Sequence, residues 1–106
     1  MIPQETIIEA LERLVKAYDP LAIYMYGKYA RGNADEDDDL ELLIVIESSD
    51  EDYCKRGYRA FDALFGLKIP KHITVYTKQE FDASAQDVTS LCYEVKNKGR
   101  RVYVGG

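Results

Sequence analysis

Tryptophan is missing from this chain of 106 residues, histidine occurs once, cysteine twice and proline three times. Each scarcity excludes something. The single histidine, His72, cannot build a histidine-rich metal site, and no role is assigned to it. Cys54 and Cys92 are isolated, so neither metal-ligand spacing nor a disulfide framework is present, and a reduced, cytoplasmic setting is expected. No apolar run approaches bilayer length, and Met1-Ile2-Pro3-Gln4-Glu5 lacks the basic start of an export signal, so no membrane association is expected. Repeats and low-complexity linkers are also lacking. What remains is the length of one domain with a modest core, numbered 1–106 throughout.

Charge is the exception to this ordinary composition. The net charge of −5 is concentrated in Asp35, Glu36, Asp37, Asp38, Asp39 and Glu41; without those six the chain would carry +1. A patch of that kind repels a phosphate backbone, so direct binding of DNA or RNA is not expected. A small nucleotide carrying its own cation is easier to accommodate.

Periodicity predicts a helix over residues 4–18, with Ile7, Ala10, Leu11, Leu14 and Val15 in one stripe, Pro3 at its start and Asp19-Pro20 at its end. An apolar strand follows from Leu21 to Tyr26, too uniformly apolar for an exposed edge. Residues 27–32 form a short helical turn between two glycines, residues 33–38 a polar loop, and residues 40–46 a second strand. A helix is expected over residues 51–67 with Tyr58, Phe61, Leu64 and Phe65 on its apolar face. A third strand spans residues 71–76. Thr77 and Glu80 form a capping box opening a short helix to about Ala83. The last helix is expected over residues 86–98, with Val88, Leu91, Cys92 and Val95 on one side and Gly99 after its end. Residues 100–104 make a final strand whose open edge offers a route to a homodimer, and Gly105-Gly106 close the chain. A glycine-terminated carrier domain is set aside because such domains begin with a hairpin, not an amphipathic helix. The pattern predicts an α/β (α+β) fold: a small mixed sheet of about four strands with helices covering one face.

The chemistry-bearing stretch runs from Tyr24 to Ile46. Strand alternation projects Asp39 and Glu41 together, away from Leu40, Leu42 and Ile44. Two carboxylates opposite a glycine turn suit a divalent cation. Taken singly, Gly27 and Gly32 read as an ordinary strand-to-helix turn, and the acidic run as a solvated loop. Arg31 suits either a phosphate contact or an ion pair with that loop, and Tyr29 is placed to face a ligand at the turn.

Gly27-Lys28, ten further residues, then Asp39-Leu40-Glu41 resembles the signature of the nucleotidyltransferase superfamily that includes DNA polymerase beta: Gly-Ser, ten residues, Asp-x-Asp. Ala30-Arg31-Gly32 and the run from Asp37 to Ile44 are similar to the minimal nucleotidyltransferases of prokaryotes, as are residues 73–81 and 91–103. The resemblance implies that Gly27, Lys28, Arg31 and Gly32 contact a nucleoside triphosphate while Asp39 and Glu41 serve as catalytic metal ligands. In such a site the glycine turn admits phosphate oxygens, and carboxylates hold Mg²⁺. A third carboxylate on the next strand completes a two-metal clamp. Here Lys28 replaces the serine, Glu41 the second aspartate and Thr74 the third carboxylate, so one Mg²⁺ at most is expected. Lys28 is placed either to pair with Asp39 and Glu41 or to contact a phosphate. The resemblance further implies a HEPN-type protein partner, neutralised by binding or by transfer of AMP to a tyrosine. The expected function is therefore antitoxin-like partner binding or nucleotide binding on a degenerate site. The alternative is an active Mg²⁺-dependent transferase moving a nucleoside monophosphate to a protein or small-molecule hydroxyl.

Overall fold

A computed structural model describes residues 1–105; Gly106, the end of the expected glycine pair, lies outside the described residues. The elements run α1 (Gln4–Tyr18), β1 (Ala22–Tyr26), α2 (Gly27–Arg31), β2 (Leu40–Ile46), α3 (Tyr53–Ala63), β3 (Lys71–Thr77), α4 (Lys78–Ser84), α5 (Leu91–Lys98) and β4 (Arg100–Val104). Within the described residues no helix is long and apolar enough to cross a membrane.

The strands form one mixed sheet in the order β3-β2-β1-β4. β1 pairs antiparallel with β2 and β4, while β2 and β3 run parallel, joined by α3 as the crossover. The most apolar strands, β1 and β2, take the two central places, as their composition demands. β4 is an edge, as the sequence suggests, but a register shift between Ile23 and Tyr24 and the charged pair Arg100 and Arg101 blunt it.

Helices cover both faces of the sheet, not one. Leu40, Leu42, Ile44 and Ile46 of β2 pack with Ala10, Leu14 and Tyr18 of α1 and with Ala60 and Leu64 at the end of α3. Leu43 and Val45 pack the other way, with Ala22, Tyr26, Phe81 of α4 and Cys92 and Val95 of α5. A strand apolar at every position from Leu42 to Ile46 has two faces to bury.

Two helices differ from expectation. α3 is shorter than the predicted 51–67, and it buries Arg56, Ala60 and Leu64, while Tyr58, Phe61 and Phe65 point to solvent. A polar network sets that orientation. The Tyr18 hydroxyl donates to the Arg56 carbonyl and accepts the Ala60 N–H at 2.9 Å. The Arg56 side chain donates to the Val75 carbonyl at 3.4 Å and to Glu80 Oε1 at 2.5 Å. α5 starts at Leu91, not Gln86, and Val88 is exposed. The Asp87 carboxylate accepts the Thr89 N–H at 2.9 Å, a local turn that competes with helix; Ser90 then caps α5 by accepting the Tyr93 N–H at 3.0 Å.

Candidate functional site

β1 delivers Tyr26 in extended conformation, and the backbone then turns sharply at Gly27, whose φ of +73° lies in the left-handed region. Across the ladder Tyr26 faces Glu41. The Glu41 carboxylate lies where a Cβ of residue 27 would stand, so the turn requires glycine for contact as well as for conformation. Asp39 is exposed just before β2, Glu41 is half-buried within it, and Leu40 between them is fully buried in the opposite core.

Lys28 does not pair with Asp39 or Glu41. Its ammonium sits 3.3 Å from Asp38 Oδ1. Asp38 also accepts the Asp35 N–H at 2.9 Å, and Asp35 accepts the Asp37 N–H at 2.9 Å, so the acidic run is a self-bonded turn. The Asp35 N–H, followed by the Lys28 ammonium, holds the Asp38 carboxyl below the usual range. Arg31 makes no ion pair with this loop among the described residues. It lines a cleft instead, with Tyr26, Gly27, Glu94, Lys98 and Gly99. Gly32 takes the left-handed conformation that ends α2. Tyr29 turns to the other core, where its hydroxyl accepts the Ile2 N–H at 3.0 Å.

Thr74 lies beside β2 in register with Leu43, and its Oγ1 is buried without a hydrogen bond of acceptable geometry. The Tyr26 hydroxyl stands close by. Burial first and the Glu41 charge second push that phenol up to about 12, with Thr74 opposing slightly. Tyr53 reaches in from α3 to tilt against Tyr76 at 5.2 Å between ring centroids. The Tyr26 phenol and the Thr74 hydroxyl thus stand together beside Glu41 on this face of the sheet.

The cleft measures about 130 Å³. Ordinary ligand pockets hold roughly 300–1,000 Å³, so it suits a phosphate-sized group and not a whole nucleotide. The sequence reading missed Tyr26, Glu94, Lys98 and Gly99 as lining residues. Tyr26 adjoins Gly27 in the chain, but only the packing of α5 across the end of β1 brings Glu94, Lys98 and Gly99 there, and nothing in their local pattern signals it.

Among the described residues no three His, Cys, Asp or Glu side chains gather as a metal cage. Two carboxylates and a neutral threonine do not fit a two-metal clamp. They do fit one Mg²⁺, which commonly takes one or two carboxylates and completes its shell with water and substrate phosphates. Asp39 and Glu41 would hold it, and it would neutralise phosphate charge.

No protein-family model and no curated protein sequence matches the chain. A crystal structure does: that of a protein from Sulfolobus solfataricus provisionally assigned as a nucleotidyltransferase, with a TM-score of 0.58 and 21% identity. The match covers 74% of this chain and 70% of that one. The chain has a nucleotidyltransferase fold. At that identity the likeness shows architecture: the mixed four-stranded sheet and its flanking helices.

Proposed function

We propose that this is a nucleotidyltransferase-fold domain that binds without transferring. Its work is to neutralise a protein partner, of HEPN type by the resemblance, or to hold a nucleotide as a regulatory ligand. The observation that carries the reading is Thr74. Where a third carboxylate would complete the metal clamp, a buried threonine hydroxyl sits beside a neutral phenol. Neither can ionise near neutral pH to hold a second cation or take a proton from an attacking hydroxyl. The small cleft favours grasp of a phosphate group over enclosure of a nucleotide.

The test is transfer of label from α-labelled ATP to protein or small-molecule hydroxyls, beside calorimetric titration of ATP with Mg²⁺. Binding without transfer is the expected result. Transfer by the native chain that disappears in Asp39→Ala would overturn it. A HEPN-type partner, mixed with the native chain, should co-elute without becoming labelled.

One observation favours the second reading, an active Mg²⁺-dependent transferase using a single ion. Lys28 is engaged by Asp38, so its ammonium does not occupy the place of a cation between Asp39 and Glu41. In that case Asp39→Ala and Glu41→Ala abolish transfer, whereas Lys28→Ala leaves it measurable.

A further inference from the structure

The side of α3 turned from the core carries a second seam. Tyr58, Phe61 and, in the turn beyond the helix, Phe65 are 68%, 67% and 80% exposed, and exposed Cys54 precedes them by one turn. Intervals of four, three and four residues trace the narrow stripe through which one helix packs along another. The monomer has no use for it, since its core takes Arg56, Ala60 and Leu64 from the opposite side. Aromatic rings left this open at such spacing mark an interaction surface.

The charges beside the seam decide what fits it. Lys55 and Asp62, both exposed, flank the seam on the same side and lie almost symmetrically about its midpoint. Against a second α3 running antiparallel, Tyr58 falls opposite Phe61, small Cys54 opposite large Phe65, and Lys55 opposite Asp62, twice over. A parallel pair gives neither charge a partner within the helix. Lys71, with its ammonium 5.7 Å from the Phe61 ring centroid, closes the rim next to β3. The sheet edges compete poorly. Arg56 takes the Val75 carbonyl, which strand alternation turns to the open side of β3, and β4 is blunted by its bulge and arginines.

We propose that the chain forms a two-fold homodimer through antiparallel α3 helices. Aromatic side chains bury about 150–250 Å² each, so three rings at these exposures supply on the order of 300–550 Å² per protomer. A standard interface buries about 800 Å² per partner. The seam falls below that figure, so the dimer is weak and dissociates on dilution. It is independent of the glycine-turn site.

Sedimentation equilibrium from about 1 µM to about 1 mM tests this directly. The native chain should pass from one chain mass to two with rising concentration. Phe61→Glu should hold it monomeric, with its far-ultraviolet circular dichroism unchanged because the ring is exposed. Lys55→Asp and Asp62→Lys should each weaken association more than tenfold, and the double exchange should restore it. A native chain that stays monomeric throughout, association untouched by Phe61→Glu, or a double exchange that fails to recover association would each overturn the proposal.

Discussion

Gly27 and Gly32 share a left-handed backbone, with φ of +73° and +77°, yet their surroundings differ. A Cβ at Gly32 meets open space, whereas one at Gly27 meets the Glu41 carboxylate. Gly32→Ala should therefore cost only the conformational penalty, about 1 kcal/mol, and Gly27→Ala about 2 kcal/mol or more. Urea denaturation midpoints check the difference, and Glu41→Ala should recover part of the loss in the Gly27→Ala chain. Thr74 yields the opposite expectation. Its buried hydroxyl makes no hydrogen bond of acceptable geometry, and an unmade bond costs about 1–3 kcal/mol, so Thr74→Val should be neutral or stabilising by about 1 kcal/mol. Thr74→Asp should lower the melting temperature, because it places a carboxylate beside Glu41 and a buried phenol. Added Mg²⁺ should return part of that loss if Asp39 and Glu41 grip the ion. Recovery absent at millimolar Mg²⁺ would remove the metal from the account.

At the scale of elements, the ion pair between Arg56 and Glu80 ties the crossover helix α3 to the start of α4. Glu80 also accepts the Thr77 N–H, closing the capping box that the sequence shows. Bonding to Arg56 above all holds the Glu80 carboxyl down at about 2, against an ordinary 4.5. A depressed folded-state pKa means stability that is complete above pH 4.5 and lost as pH falls toward 2. The carboxylate is 42% exposed, so after screening the contribution is about 1 kcal/mol. Glu80→Gln should lower the urea midpoint at pH 7 and flatten its decline between pH 5 and 2 (about one pH unit at either end). The same network explains why α3 buries a face other than its most apolar one. A buried arginine and a small alanine carry no apolar signal, whereas Tyr58, Phe61 and Phe65 carry a strong one. Hydrophobicity at helical spacing says that a face will be covered, and says nothing of whether its own core covers it.

For the whole molecule, the two-sided sheet places Tyr26 and Tyr76 between β strands and the helices α4 and α5. Burial leads the causes that raise both phenols, Tyr26 to about 12 and Tyr76 further. A raised pKa on a group that is neutral when folded gives stability intact below pH 10 and lost as pH climbs through 12. Spectrophotometric titration of the nine tyrosines should show a delayed set, Tyr26 and Tyr76 among it, that ionises only with unfolding. If all nine titrate together before the circular dichroism changes, these two phenols are open to water.

The sequence by itself determined the elements, their order and the turn. Proline and glycine restrict the backbone locally, capping residues act within one helical turn, and two apolar strands could only be central. The approach of Glu41 to Gly27 was legible for the same reason: it depends on strand alternation and on spacing along the chain. Only the tertiary structure decided which faces are covered, that Lys28 turns to Asp38, and that α5 brings Lys98 and Glu94 to Gly27. Those outcomes rest on contacts between residues far apart in sequence, where a side chain's partner is chosen by packing and its own neighbours hold no record of the choice.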